Sequence, residues 1–200
     1  VRCSISVVSG SAAGFKKPFP AEVSRTIVSL VSAGTLSALT QEGLPLGFGV
    51  RFAVDSDGTP IVCLNDSAEK SLSDDKRCSL HVQLDQCGLR TPQCTILGRL
   101  EKPEEETMAA SAGKLRLSWK KRFNEEFDES HAHFLDVERV LQTEDYAENG
   151  VWITSSEYAS AEPDPLRASA MRIVNEINAR HAEDIRRFCN VFMNLDIQVL

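Results

Sequence analysis

Polar and apolar residues alternate along several short runs of this chain, as they do in β-strands that bury one face. The alternation is clearest over 47–55 and 78–84, where every second residue is apolar. An Asp57-Gly58 pair between two such runs is typical of a hairpin turn. Strands are predicted over 35–40, 47–55, 60–64, 78–84, 94–100, 135–142 and 151–154. About seven strands with regular turn signals favour a small barrel over a doubly wound sheet.

Two segments of the same region have apolar residues at helical spacing. The first is 21–33, and we interpret Gly34 as its C-terminal stop. The second begins with the acidic residues around Pro103 and extends to about Phe123. Together with the strands, these segments predict a mainly β domain with covering helices over 21–158.

The pattern changes beyond this domain. Residues 159–166 contain Pro163 and Pro165 and are typical of a linker. The next segment, 167–192, is strongly helical, and 195–200 is strand-like. A strand that begins at the last residues predicts the start of a small α+β C-terminal domain over 167–200 that is cut short.

Composition narrows the classes of function. The formal net charge is -7 without a basic block, whereas binding to a phosphate backbone needs clustered lysine and arginine, so we expect no direct nucleic-acid partner. No apolar run approaches the ~20 residues that cross a bilayer, so no transmembrane segment is predicted. The six cysteines include no closely spaced metal-binding pair, and three fall within apolar strands, as expected in a reducing compartment.

The beginning of the chain has a composition of its own. It is rich in serine, contains basic residues and has no acidic residue before Glu22. This bias is typical of an organellar transit peptide, and the opening Val-Arg-Cys-Ser resembles a plastid processing junction. An ordinary flexible terminus can have the same composition. We predict that residues 1–20 are a disordered remnant of a transit-peptide region.

Arg51 is the first candidate for a functional residue. The Gly47-Phe48-Gly49 run beside it lacks the third glycine and the following helix that a phosphate-binding loop requires. Small residues around one arginine on a strand face leave room either for a flat ligand or for close backbone packing. We favour packing at the seam of a homodimer, formed by Gly47, Gly49 and Arg51.

The histidines provide the other candidates. His131 and His133 would point the same way on an extended segment and so could seed a metal site, but without further ligands we predict a solvated loop and no metal. His81 lies on the polar face of its predicted strand, and His181 lies on the apolar stripe of the C-terminal helix beside Asn178. Each is either a structural residue or a heme ligand. No pattern of a hydrolase appears.

The linker between the strands 60–64 and 78–84, which reads NDSAEKSLSDDKR, provides a family resemblance. Strand, short loop and strand in this order resemble the FMN-binding split barrels of the pyridoxamine-phosphate-oxidase and HugZ type. In those families the linker carries a Ser-Leu-Ala, His-Thr and Arg/Lys-Asn-Leu series that grips the flavin phosphate. Here Ser67 and Ala68 remain, the His-Thr pair is missing and the spacing is shorter, so FMN is not expected to bind.

Longer stretches resemble one branch of this group, the plant chloroplast regulators that bind glutamyl-tRNA reductase. The matching stretches are TLSALTQEGLPLGFGVRFAVDSDGTPIVCLN from Thr35, HVQLDQCGLRTPQCTILG from His81, VLQTED from Val140, PDPLR from Pro163 and the helix with Asn178 and His181. They cover most of residues 21–194. The match rests on many ordinary residues in order rather than on a catalytic signature.

The resemblance implies a non-enzymatic, homodimeric regulator in the chloroplast stroma. Such a protein binds glutamyl-tRNA reductase and controls the supply of 5-aminolevulinate for heme and chlorophyll, and peripheral association with thylakoids stays open. No cofactor is required. Related split barrels bind heme, however, so heme sensing is a natural extension, with Arg51, His81 and His181 as candidate heme or groove residues. The alternative is a HugZ-like heme-binding or heme-degrading oxygenase, and a flavin oxidase is a weaker third.

Overall fold

The computed structural model describes residues 19–84, 91–102, 105–146 and 149–192. The strands in these ranges are β1 Ala33–Leu39, β2 Pro45–Val54, β3 Pro60–Cys63, β4 Arg77–Gln83, β5 Gln93–Glu101, β6 Ala132–Thr143 and β7 Val151–Thr154. The α-helices in these ranges are α1 Pro20–Leu30, α2 Asp66–Ser71, α3 Glu105–Phe123, α4 Ser155–Ser160, α5 Ala170–Arg180 and α6 Ala182–Phe192. None of these helices is both long and apolar enough to cross a membrane.

The antiparallel sheet closes on itself. Its strand order is β3-β2-β1-β4-β5-β6-β7, and β3 also pairs with β6, which places Ile61 opposite Phe134. One edge of β6 pairs with β5 over its length, whereas its other edge pairs first with β3 and then with β7. The predicted small barrel with covering helices is confirmed.

The barrel core consists of the apolar residues that alternate along the strands, with α1 and α4 packed over one end. The largest fully buried side chains are Tyr158, Phe52, Ile27, Leu36, Ile61, Leu64, Leu80, Ile96 and Leu135. A second apolar cluster lies under α3, where Leu115 and Trp119 pack against Ala53 and Ile61. The alternating patterns of the strands therefore bury the faces that the sequence predicts, and Leu115 and Trp119 of α3 are buried as well.

Arg122 fastens the end of α3 to the barrel. Its guanidinium donates hydrogen bonds to the carbonyl oxygens of Ser29, Val31 and Phe52, the last two at 3.1 and 3.3 Å. Partial burial lowers the pKa of Arg122 from its ordinary value. Three backbone acceptors compensate the loss of hydration because they satisfy the donors of the charged group.

The Asp57-Gly58 turn is confirmed. The side chain of Asp55 accepts a hydrogen bond from the N–H of Asp57 at 2.9 Å, and Gly58 has a φ of 84°, which glycine adopts without strain. A Cβ atom at Gly58 would overlap the guanidinium of Arg25. The buried hydroxyl of Tyr158 donates to the carbonyl of Gly58 at 2.9 Å and so joins α4 to this turn.

Gly34 has a role other than the predicted one. Helix α1 ends at Leu30, and the extended backbone of Val31 leads into β1, so the predicted helix boundary at residue 33 is wrong. Gly34 lies within β1, where a Cβ atom would be 2.6 Å from the carbonyl oxygen of His81. The glycine therefore permits the close approach of β1 to β4 and does not stop a helix.

The C-terminal helical segment is divided. Helix α5 ends at Arg180, His181 has φ −127° and ψ 27°, and α6 begins at Ala182. The predicted helix over 167–192 is confirmed over most of its length. One continuous apolar stripe through His181 is not confirmed, because the helix is interrupted at that residue. No residue of α5 or α6 is buried. The strand predicted over 195–200, and nearly all of the predicted disordered terminus, lie outside the described residues.

Candidate functional site

The linker helix α2 lines two surface cavities, each with a volume of about 380 Å³. The first, which we call the Arg51 pocket, is lined by Phe48, Gly49, Arg51, Cys63, Asn65, Ala68 and Trp119 among others. The second, which we call the linker pocket, is lined by Gln41, Asp66, Glu69, Ser73, Asp74, Asp75, Lys76 and His133 among others. These pockets occupy the region in which the family resemblance places a phosphate grip.

Helix α2 replaces the loop that the sequence suggests. The side chain of Asn65 caps it by accepting a hydrogen bond from the N–H of Ala68 at 2.8 Å. Asp66 and Glu69 lie in the first turn, where the helix dipole favours negative charge. Local residues thus favour this short helix, and its carboxylates line the linker pocket.

Arg51 is already paired within this chain. Its two terminal nitrogens lie 3.0 and 2.8 Å from the carboxylate oxygens of Glu125, and its guanidinium lies 4.9 Å from the centre of the Phe123 ring. The hydrogen-bonded pair raises the pKa of Arg51 and lowers the pKa of Glu125. The ring of Trp119 packs on Phe123 with centroids 4.5 Å apart. An anionic ligand at these two nitrogens would compete with Glu125.

The two glycines beside Arg51 are not required by the packing of this chain. In the described ranges, a Cβ atom at Gly49 would meet nothing within 4 Å, and one at Gly47 would make an ordinary 3.4 Å contact with the hydroxyl of Ser37. This face of β2 is therefore open. The homodimer seam at Gly47, Gly49 and Arg51 stays a prediction.

His133 lies in β6 and is buried, so the prediction of a solvated loop is wrong for this residue. Its Nδ1 donates to the carbonyl oxygen of His131 at 3.1 Å, which leaves Nε2 directed at Glu69, 3.7 Å away. Burial lowers the pKa of His133, so the neutral ring is favoured. Glu69 is engaged by Lys102 at 2.6 Å, and this ion pair lowers the pKa of Glu69.

His131 is directed away from His133. It bridges Asp128 and Asp66 at 2.8 and 2.9 Å and so ties α2 to the start of β6. The two carboxylates raise the pKa of His131. Within the part of the chain that the structure describes, no group of three or more histidine, cysteine, aspartate or glutamate side chains is arranged to hold a metal ion.

The structure does not bring the three predicted site residues together. Arg51 lines the Arg51 pocket, whereas His81 and His181 line neither pocket. His81 is half-buried on β4, with Nδ1 3.0 Å from the hydroxyl of Thr95. His181 is exposed at the break between α5 and α6, with Nδ1 3.3 Å from the carboxylate of Asp184. Their predicted role toward heme stays a prediction.

The cysteines near the site are poor nucleophiles. Burial raises the pKa of Cys63 to about 11 and the pKa of both Cys78 and Cys94 to about 12. Thiolate chemistry at neutral pH is therefore not favoured at these positions. Cys78 and Cys94 are buried within strands, as predicted, and Cys63 is half-buried.

Sequence reasoning missed several residues of both pockets. Trp119 was expected on an apolar helix face, but its position at the Arg51 pocket depends on how α3 packs on β2 and β3. Glu125 follows α3 in an irregular segment, and no local pattern connects it with Arg51. For Glu69 the signal was present, since Asn65 followed by acidic residues is typical of a helix start.

The sequence matches no family model. It is 54% identical over 201 residues, 100% of this chain, to the chloroplastic glutamyl-tRNA reductase-binding protein of Arabidopsis thaliana. It is 26% identical over 189 residues, 90% of this chain, to the chloroplastic non-canonical heme oxygenase HOZ of the same plant. The chain spans 61% and 58%, respectively, of the lengths of these two relatives.

Two solved structures share the fold. A heme binding protein from Mycobacterium smegmatis has a TM-score of 0.68 and 29% identity, over 82% of this chain and 70% of that one. A protein of unknown function from Agrobacterium tumefaciens has a TM-score of 0.55 and 18% identity, over 80% of this chain and 69% of that one. The predicted resemblance is confirmed: the chain is related along its whole length to the chloroplast glutamyl-tRNA reductase-binding protein, and its barrel is a split barrel like that of the mycobacterial heme binding protein.

Proposed function

We propose that this chain is the split-barrel part of a regulator that binds glutamyl-tRNA reductase in the chloroplast stroma and so controls the supply of 5-aminolevulinate. The observation that carries the proposal is the 54% identity over the whole chain to a protein named for binding that enzyme. More positions are identical than the described part of the chain buries, so positions outside the buried core are shared as well. Residues outside the core are the ones available to contact a partner.

The regulator is non-enzymatic in this proposal. The charge of Arg51 is paired with Glu125, and the ring of His133 has one nitrogen on a backbone carbonyl and the other near Glu69. The linker pocket is lined by four carboxylates and two lysines, so its net charge is negative and disfavours the dianionic phosphate of FMN. These features support a binding protein without a flavin, and they support homodimerisation only in that the Gly49 face of β2 is open.

A heme oxygenase is the second candidate. It is favoured by the 26% identity to the oxygenase HOZ and by the fold shared with a heme binding protein. For heme to bind at the Arg51 pocket, Arg51 would exchange Glu125 for a propionate, with Trp119 as an apolar wall. His81 and His181 are the residues that we would test as iron ligands.

The deciding experiment mixes the full-length protein with glutamyl-tRNA reductase, with and without heme, and measures both complex formation and heme absorbance under a reducing system. We expect a complex and a heme band that persists. If heme binds, we expect the affinity for the reductase to change, because a ligand that favours one conformation shifts every equilibrium that depends on it. Loss of the heme band without a complex would instead identify an oxygenase.

A further inference from the structure

Strand β7 is a free edge of the barrel. In the described ranges it pairs only with β6, and the opposite side of β7 carries no strand. The N–H of Thr154 is turned to that opposite side, where it donates to the carboxylate of Glu157 at 2.9 Å. Because backbone groups alternate in direction along a strand, the N–H and C=O of Trp152 face the same open edge. An exposed edge of this kind can pair with another chain.

A groove runs along this edge, between β7 and the start of α1. Its volume is about 550 Å³, and the apolar residues that line it include Phe19, Val151 and Trp152. These side chains are 59%, 48% and 53% exposed, respectively, so the groove displays large apolar groups to solvent. Such groups are enriched where proteins bind partners.

The charged residues that line the groove are all acidic, namely Glu22, Glu157 and Glu162. Glu22 and Glu157 each use Oε2 to accept a local backbone hydrogen bond, whereas Glu162 is exposed. The guanidinium of Arg139, which belongs to β6, packs over the indole of Trp152 at 4.5 Å. Arg139 is exposed and comes from β6, the strand that pairs with β7, whereas the charged residues that line the groove are negative.

We propose that the edge of β7 binds an extended peptide segment of a partner protein by strand addition, and that this segment alternates β-branched apolar residues with lysine or arginine. Backbone pairing with Trp152 supplies the affinity that is independent of sequence. The apolar side chains pack against Phe19 and Trp152, and the basic side chains meet the three glutamates. The proposal does not depend on whether the partner is glutamyl-tRNA reductase.

The test adds a hexapeptide of alternating lysine and valine to the full chain and measures its binding by tryptophan fluorescence. The chain has two tryptophans, and Trp119 is buried, so Trp152 reports on the groove. We expect a blue shift that a Trp152→Phe variant lacks. Two control peptides, one with glutamate in place of lysine and one with methylated backbone nitrogens, should bind at least about tenfold more weakly.

Two charge-reversal variants distinguish binding in the groove from a general attraction of the basic peptide to an acidic protein. Glu162→Lys should weaken binding of the basic peptide about fivefold, whereas Glu42→Lys, in a distant exposed turn, should change it less than about twofold. Equal weakening by both variants would overturn the proposal, as would the absence of binding.

Hydrogen exchange gives the remaining check. A Trp152 amide that is protected before the peptide is added would mean that this chain or a second copy already covers the edge, and this result also contradicts the proposal.

Discussion

The barrel buries its large apolar residues, whereas the C-terminal helices expose theirs. Phe52 in β2 is fully buried, whereas Phe188 in α6 is 62% exposed and stacks on Phe192 at 5.6 Å. Both segments have apolar residues at the correct period for their secondary structure. The strands bury theirs because β3 and β6 close the sheet and two helices pack over one end. The comparison shows that periodicity specifies an element, whereas burial requires a partner for its apolar face.

The largest expected difference between the two regions is in their response to the loss of a phenyl ring. Phe52→Ala should lower the free energy of unfolding by about 3–5 kcal/mol, because it leaves a cavity in a packed core. Phe188→Ala should change it by less than about 0.5 kcal/mol. Urea unfolding of both variants, followed by circular dichroism, measures these values. Equal destabilisation would mean that α6 is packed as tightly as the barrel.

The attachment of α3 to the barrel provides the next test. Arg122→Met should destabilise the protein by about 1.5–3 kcal/mol, since three backbone carbonyls lose a charged donor. Lys121→Met, one residue away and exposed, is the matched control and should be nearly neutral. Thermal unfolding distinguishes them. If the two variants are equally stable, the hydrogen bonds of Arg122 do not hold α3 in place.

A smaller effect is expected where α4 meets the Asp57-Gly58 turn. Tyr158→Phe removes a buried hydrogen bond to Gly58 and should cost about 1 kcal/mol in the free energy of unfolding. Tyr146→Phe removes an exposed hydrogen bond to Gln83 and should cost much less. Chemical denaturation measures the free energy of unfolding of both variants, which each lose one tyrosine hydroxyl and differ in how deeply it is buried. A larger effect at Tyr146 would contradict the geometry.

The smallest effect concerns two histidines at the start of β6. The folded-state pKa of His131 is raised, so its stabilisation is fully present below the ordinary pKa of 6.5 and is lost as the pH rises through the higher folded value. The pKa of His133 is lowered by burial, so stability falls as the pH drops below 6.5. His131→Gln should therefore remove the decline on the alkaline side and keep the one on the acidic side.

Melting temperatures measured between pH 5 and about 8.5 provide the comparison. Asp128→Asn, which removes a partner of His131, should reduce the same alkaline decline, and the double variant should add little to either single one. Additive effects would show that the two residues act independently.

Strands and helix faces were predictable from the sequence because each depends on residues close together in the chain. The alternation in β2 and β4 locates both strands to within about two residues, the usual uncertainty of element ends. The start of β6 was missed because His133 is a polar residue in a polar stretch that follows Asp128 and Glu129, although the structure buries it. Its burial comes from pairing with β3 and not from its own neighbours in sequence.

The candidate site was predictable only in part, since its contacts join distant segments. Arg51 was identified from the small residues around it, but Glu125 and Phe123 reach it through the packing of α3. The C-terminal helix is interrupted at His181, but no glycine or proline near this residue indicates an interruption. Residue types therefore indicated which side chains merit attention, whereas tertiary packing determined which of them meet.

Closure of the barrel by β3 and β6 has consequences for the rate of folding. Ile61 reaches Phe134 only after α2, β4, β5 and α3 have been traversed, so this pairing is strongly non-local in sequence. Chains with many such contacts refold in about milliseconds to seconds, because the entropy of closing a long loop is lost before the contact forms. Until β3 and β6 pair, each presents an open strand edge to other molecules. Refolding yield should therefore fall with rising protein concentration, even though the closed barrel hides both edges.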